Sequence, residues 1–100
     1  MRVAVIYRPK HAPPFELMPQ LMQGMADWAG RYQDRMETTY FFVGGGGFGV
    51  LDVDHSTELQ RMVAEHPFTP FSDVEIRPVV DPGTALKTLQ EVFAARPATG

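Results

Sequence analysis

Residues 36–53 read METTYFFVGGGGFGVLDV. This stretch and the elements on either side of it determine the predicted fold. Residues 36–43 are dense in β-branched and aromatic residues, which favour strands. Four glycines follow, and residues 48–53 again have the composition of a strand. Two strands around a short glycine-rich break predict a β-hairpin. The glycines at 44–47 indicate either a flexible hairpin tip or a place where another group approaches the backbone.

The residues before the hairpin predict a strand and then a helix. In residues 1–8, successive side chains would point to opposite faces of a strand, with Val3 and Val5 on the same face. This two-residue period predicts a β-strand. Between residues 16 and 30, apolar side chains recur at steps of three and four, which predicts an amphipathic helix. Pro19 is compatible with that helix only in its first turn.

The residues after the hairpin predict a helix, a strand and a further helix. The first helix covers residues 54–65, and a proline-bounded aromatic loop at 67–72 follows it. Residues 74–80 predict the fourth strand. Pro78 has no backbone N–H to donate to a neighbouring strand, so this strand should lie at the edge of the sheet or end irregularly. A capped helix then runs from residue 82 to about residue 95.

The order β-α-β-β-α-β-α predicts an α+β protein with a ferredoxin-like βαββαβ core and a C-terminal helix. Right-handed crossovers place both main helices on one face of a four-stranded antiparallel sheet. One hundred residues suffice for a single core, so we expect one domain over 1–100, with residues 96–100 as a frayed tail.

Composition excludes several classes of function. The chain is 44% hydrophobic and 21% charged, as soluble globular domains are. It has no cysteine, which excludes disulfides, thiolate metal sites and a cysteine nucleophile. Its net charge of −3 and lack of a basic stripe argue against a nucleic-acid partner. We expect no membrane span, no metal site, no cofactor and a cytoplasmic location, because no targeting, histidine-ligand or phosphate-loop pattern occurs.

The helices leave one face of the sheet bare, and in a monomer this face should be polar. The predicted strands, however, carry apolar side chains on both faces. Tyr40 and Phe42 occupy one face of the second strand, while Phe41 and Val43 occupy the other. Exposed apolar patches of this size are unusual on monomers. The pattern therefore predicts a homodimer with sheets packed face to face, unless the third helix covers part of this face.

The residues able to carry chemistry are few. His66 ends the second helix and is either a general acid or base or a packed histidine. Glu75 and Arg77 share a strand face and, with Arg8 and Asp52, form either a site for a base and a substrate carboxylate or an interface ion-pair network.

Aromatic residues complete the candidate site. Tyr7 and Tyr40 can hydrogen-bond a phenol or enol, or pack within the sheet with a polar tip. Trp28 sits at helical spacing and forms either core or one wall of an apolar pocket under the sheet. Phe68, in the aromatic loop, is a further candidate for substrate contact.

The second half of the chain resembles a known family. Val50-Leu51-Asp52-Val53, the helix after it, and the segment PFTPFSDVEI at 67–76 resemble the muconolactone δ-isomerase family. The chain also resembles small uncharacterised domains of the same dimeric α+β barrel superfamily. At the hairpin this sequence has Gly44 to Gly47, where the isomerases carry bulky polar and aromatic side chains. The resemblance implies the barrel fold, a homodimer and a small-molecule substrate.

Together these features predict a small cofactor-independent enzyme that acts on a cyclic or aromatic carbonyl compound by proton transfer, as an isomerase or cyclase. The alternatives are a cofactor-free monooxygenase of aromatic or polyketide substrates and a non-catalytic dimeric binding protein. The predicted catalytic residues are His66 and Glu75. The predicted substrate-binding residues are Tyr7, Arg8, Trp28, Tyr40, Asp52, Phe68 and Arg77.

Overall fold

The structure is a computed structural model that describes residues 1–96. Its strands are β1 (Arg2–Pro9), β2 (Met36–Phe41), β3 (Gly47–Asp52) and β4 (Ser72–Pro78), and its helices are α1 (Met18–Tyr32), α2 (Ser56–Glu65) and α3 (Pro82–Ala95). Within the described range, no helix combines the length and apolar character needed to cross a bilayer. From residue 97 onward, the predicted frayed tail lies outside the described residues.

The four strands form one antiparallel sheet in the order β2-β3-β1-β4. The element order along the chain is that of the predicted βαββαβ core followed by a helix, so the predicted α+β fold is confirmed. The central strand β1 pairs Val5 with Gly49 of β3 and with Ile76 of β4. Side chains in one cross-strand row point to the same face.

The core lies between the sheet and the first two helices. Val3 and Val5 of β1 are buried on this side, as the two-residue alternation predicts. The buried apolar side chains come from β1, from the end of β3 and the residue after it, and from α2; they are Val3, Val5, Leu51, Val53, Leu59 and Met62. Trp28 and Tyr32 of α1 pack against this cluster.

Prolines set several element boundaries as predicted. Pro19 lies in the first turn of α1, where its missing N–H removes no helical hydrogen bond. β4 is an edge strand and ends at Pro78, so the absent donor does not interrupt the sheet interior. β2 ends two residues before the predicted Val43. The reason is that the chain turns here, because the Gly45 N–H donates to the carbonyl of Phe42 (3.1 Å).

Helix α3 projects from the rest of the molecule. Its N-cap is Asp81, the residue before the predicted start, and the Asp81 carboxylate accepts a hydrogen bond from the Thr84 N–H (2.9 Å). Every residue of the helix is exposed except the half-buried Ala85, so α3 does not cover the bare sheet face. The Cα radius of gyration is 17.9 Å, and the chain extends 66 × 26 × 21 Å. A compact 100-residue domain has a radius of about 13 Å, so the molecule is elongated.

Candidate functional site

An apolar cavity of about 480 Å³ lies between the sheet and its helices. Its buried end is lined by Tyr7 of β1, Trp28 of α1 and His66 just after α2. Its exposed end is bordered by the loop containing Lys10 and His11 and by the glycine hairpin between β2 and β3. The volume falls in the range of about 300–1,000 Å³ that small-molecule sites occupy.

Four aromatic rings surround the buried end of the cavity; we call Tyr7, Trp28, His66 and Phe68 the aromatic cluster. The imidazole of His66 stacks on the Tyr7 ring at a centroid distance of 4.2 Å and an interplanar angle of 24°. Trp28 meets the same imidazole edge-on at 4.7 Å, and Phe68 does so at 6.3 Å. These contacts fix the plane of the imidazole ring.

The polar atoms of Tyr7 and Trp28 are already bonded within the protein. The Trp28 indole N–H donates to the Met62 carbonyl (2.8 Å). The Thr69 hydroxyl donates to the Val63 carbonyl (2.6 Å), so at the 3.1 Å contact with Tyr7 the tyrosine must be the donor. Burial raises the pKa of Tyr7. Tyr7 is therefore a neutral phenol that holds its proton.

His66 is buried, with 8% of its surface exposed. Helix α2 ends here because His66 adopts an extended backbone, with φ −68° and ψ 125°, and Pro67 follows. The chain then turns so that the Phe68 N–H donates to His66 Nδ1 (3.1 Å). Desolvation lowers the pKa of His66 to about 4, so the imidazole is neutral at pH 7.

The glycine hairpin approaches β1 closely. Gly44, Gly45 and Gly46 all have positive φ, which residues with a Cβ rarely adopt. A Cβ on Gly46 would overlap the Tyr7 carbonyl oxygen and would lie 2.9 Å from Pro9 Cδ. A Cβ on Gly47 would lie 2.6 Å from the Tyr40 carbonyl oxygen. At these two positions, the structure shows the close backbone approach that was one of the two interpretations of the sequence.

The charged candidates lie on the opposite face of the sheet. Arg8 follows Tyr7 in β1, so their side chains point to opposite faces. Glu75 accepts from Arg8 Nη1 (3.2 Å) and pairs with Arg77 Nη2 (3.0 Å). The hydrogen bond from Arg77, and then that from Arg8, lowers the pKa of Glu75. Asp52 pairs with Arg2 in the β1–β3 register, near the far end of the same face.

Tyr40 also belongs to this open face. Its ring stacks on Phe48 at 5.8 Å, and Phe48 stacks on Phe42 at 5.9 Å. Tyr40 is 63% exposed and borders the cavity at its exposed end. The structure thus brings together four of the predicted site residues, Tyr7, Trp28, His66 and Phe68. It separates them from Arg8, Asp52, Glu75 and Arg77, and Tyr40 meets the cavity only at its exposed end.

Sequence reasoning missed Thr69, which bonds Tyr7, and the Lys10–His11 loop at the exposed end. The N–H groups of Lys10 and His11 both donate to the Phe71 carbonyl (2.9 and 3.1 Å), which holds the loop against the aromatic loop. Nothing local in the sequence signals these long-range contacts. In the part of the chain that the structure describes, no three His, Asp or Glu side chains group as metal ligands would.

The fold is similar to that of muconolactone isomerase. The chain belongs to the family described as a domain of unknown function, DUF3303, which matches residues 35–93. No curated protein matches it.

The solved structures that share the fold include the following two. One is muconolactone isomerase, with TM-score 0.70 and 20% identity, over 82% of this chain and 92% of that one. The other is 5-chloro-2-hydroxyhydroquinone dehydrochlorinase from Burkholderia phenoliruptrix AC1100, in complex with 2,5-dihydroxybenzoquinone. Its TM-score is 0.67 and its identity 10%, over 82% of this chain and 97% of that one.

Proposed function

We propose that this protein is a small cofactor-independent enzyme that acts on a cyclic or aromatic carbonyl compound by proton transfer, as an isomerase or cyclase. The observation that carries this proposal is the apolar cavity with His66 at its buried end. Such a cavity suits a flat ring, and a fixed polar group at its end suits a ring oxygen. Two enzymes with this fold, one of them in complex with a dihydroxybenzoquinone, support a cyclic substrate that carries oxygen.

Within this proposal, eight of the nine candidate residues divide between the cavity and the open face, and Tyr40 borders the exposed end of the cavity. Tyr7, Trp28 and Phe68 pack against the ring of the substrate, and His66 contacts its oxygen. A solvent base that enters at the exposed end of the cavity removes the proton next to the carbonyl and carries it away. This places negative charge on the carbonyl oxygen, so a fixed polar group there lowers the barrier. Glu75 is salt-bridged on the other face and is not the base in this cavity. Arg8, Asp52 and Arg77 then stabilise the open face.

We further propose that the protein is a homodimer in which the open sheet faces pack together. Ile6, Phe48 and Val50 on this face are half-buried in one chain, and Tyr40 is exposed. Helix α3 adds further exposed apolar side chains, namely Leu86, Leu89, Val92 and Phe93. A helix of 14 residues with almost no packing is marginal in water, so α3 also needs a second surface. A second copy of the chain would bury both the open sheet face and the apolar side chains of α3.

Hydrogen–deuterium exchange at carbon tests the enzymatic proposal directly. The protein is incubated in D2O with 1-tetralone, an enol lactone and a hydroxyquinone, and proton NMR follows deuterium entering next to the carbonyl. We expect exchange above the buffer rate with at least one compound and at least tenfold slower exchange in His66→Leu. Glu75→Gln, altered on the other face, is the matched control and should retain the rate.

Two results would overturn this assignment. Saturable binding of these compounds with no exchange and no isomerisation would favour the non-catalytic binding protein. Substrate-dependent oxygen consumption would favour the monooxygenase instead.

A further inference from the structure

We propose that His66 acts as a hydrogen-bond donor through Nε2–H rather than as a base. The buried end of the cavity then selects ring compounds that carry a carbonyl oxygen, such as a cyclic ketone or a quinone. The inference rests on the proposed function, because it concerns the same cavity. It assigns the chemistry of that cavity's buried end and the class of ligand that this end accepts.

The tautomer of His66 follows from one backbone contact. The Phe68 N–H donates to His66 Nδ1 at 3.1 Å, so the lone pair of Nδ1 is occupied. A neutral imidazole carries a single proton, and the nitrogen that accepts a hydrogen bond cannot carry it. The proton is therefore on Nε2. A base acting through Nε2 would need a lone pair at this atom, and this tautomer has none.

His66 Nε2 is free to meet a ligand. In the described part of the chain, Nε2 has no hydrogen-bond partner, and no fully buried side-chain nitrogen or oxygen lacks one. Nε2 is therefore not sealed inside the protein. Because the ring lines the cavity and its Nδ1 side faces the backbone of Phe68, Nε2 is reached from the cavity. A ligand oxygen can complete this hydrogen bond.

The other ring N–H and O–H groups of the aromatic cluster are already used. The Trp28 N–H bonds the Met62 carbonyl, and the Tyr7 hydroxyl proton bonds Thr69. Among the aromatic cluster, His66 thus offers the one uncommitted donor. A hydrocarbon ring would leave this donor without a partner, and an unpaired buried polar group costs binding free energy. A carbonyl oxygen satisfies it, and the low pKa of His66 keeps the donor neutral at pH 7.

Nitrogen-15 NMR of the ligand-free protein tests the tautomer. Long-range proton–nitrogen correlation distinguishes a ring nitrogen that carries hydrogen from one that does not. We expect His66 Nε2 to show the protonated signature and Nδ1 the unprotonated one at pH 7. The opposite assignment would overturn the inference. His66→Phe identifies the signals, and exposed His55 is the reference imidazole within the same spectrum.

Calorimetry with a matched ligand pair tests the selectivity. The probes are 1-tetralone and tetralin, which share a bicyclic skeleton and differ in the carbonyl. We expect the protein to bind 1-tetralone about tenfold more tightly than tetralin, the scale of one hydrogen bond. His66→Phe should bind both alike, and His66→Gln, which keeps a side-chain N–H donor, should retain part of the preference. Equal affinities in the unaltered protein would overturn the inference.

These measurements also separate the two proposals. Neither the tautomer nor the ligand preference requires turnover, so both can hold in a protein that catalyses no exchange. Conversely, exchange at carbon with a proton on Nδ1 would support the enzyme and refute the donor role. His55→Gln, altered at an exposed histidine, controls for a general effect of losing an imidazole.

Discussion

At the scale of single residues, the chemistry of the cavity depends on what surrounds each polar atom. His66 is held by stacking on Tyr7, by the edge of Trp28 and by the N–H of Phe68. Tyr7 in turn is held by Thr69. Contacts of this kind keep a side chain in one orientation, which is the preorganisation that a binding or catalytic site requires.

The burial of His66 predicts a stability that depends on pH. The pKa is about 4 in the folded protein and near 6.5 in an unfolded chain, so between these values the unfolded state binds a proton that the folded state does not. The free energy of unfolding should therefore fall as the pH drops from 6.5 to 4, by at most about 1.4 kcal/mol per pH unit from this group.

Urea unfolding at several pH values between 4 and 7 measures this slope. His66→Phe should flatten the curve, whereas His55→Gln, altered at an exposed histidine, should retain it. A slope that survives in His66→Phe would show that another group is responsible.

The glycine hairpin predicts a second effect at this scale. Gly46→Ala would force a Cβ against the Tyr7 carbonyl and into a positive-φ backbone, so we expect a loss of about 2 kcal/mol or more. Gly30→Ala is the matched control, because it lies in α1 with open space around it and should be neutral or stabilising. Thermal unfolding of both variants provides the comparison, and equal melting temperatures would contradict the close approach.

At the scale of elements, β1 separates two groups of side chains. Tyr7 faces the aromatic cluster, while its neighbour Arg8 faces Glu75 on the open side. The alternation of β1 was readable from the sequence, and so was the row formed by Arg8, Glu75 and Arg77. Which face carries the cavity depends on how the two helices pack over the sheet.

This separation predicts that the charged row does not influence binding in the cavity. Glu75→Gln should leave the dissociation constant of 1-tetralone unchanged within about twofold. Trp28→Ala removes one wall of the cavity and should weaken binding at least tenfold. Isothermal titration calorimetry measures both. A large effect of Glu75→Gln on affinity would mean that the two faces of the sheet are energetically coupled.

Sequence patterns predicted the elements better than the site. The two-residue spacing of β1 and the helical spacing of α1 predicted that Val3, Val5 and Trp28 face the core. Both patterns arise because one face of each element is buried. Pro78 identified the edge strand for a similarly local reason. The pairing of His66 with the Phe68 N–H and the bond from Tyr7 to Thr69 depend on the conformation of the aromatic loop. Loop conformation has no periodicity that a single sequence displays.

At the scale of the whole molecule, the extended outline and the projecting α3 are the features that the proposed homodimer explains. We expect sedimentation equilibrium to give the mass of a dimer at micromolar concentration. Phe48→Lys places a charge between Tyr40 and Phe42 on the open face and should shift the equilibrium toward monomer at least tenfold. Ala26→Lys, at an exposed position on α1, is the control and should remain dimeric. A monomeric unaltered protein would refute the pairing.

The sheet also has a consequence for how substitutions combine. The hydrogen bonds of His66 and Tyr7 share no residue with those of Glu75, so effects on the two faces should be energetically independent. In a double-mutant cycle, the effects of His66→Phe and Glu75→Gln on the free energy of unfolding should add to within about 0.5 kcal/mol. The cavity can then be redesigned for other ligands while the open sheet face, which we propose to pair with a second copy, is left as it is.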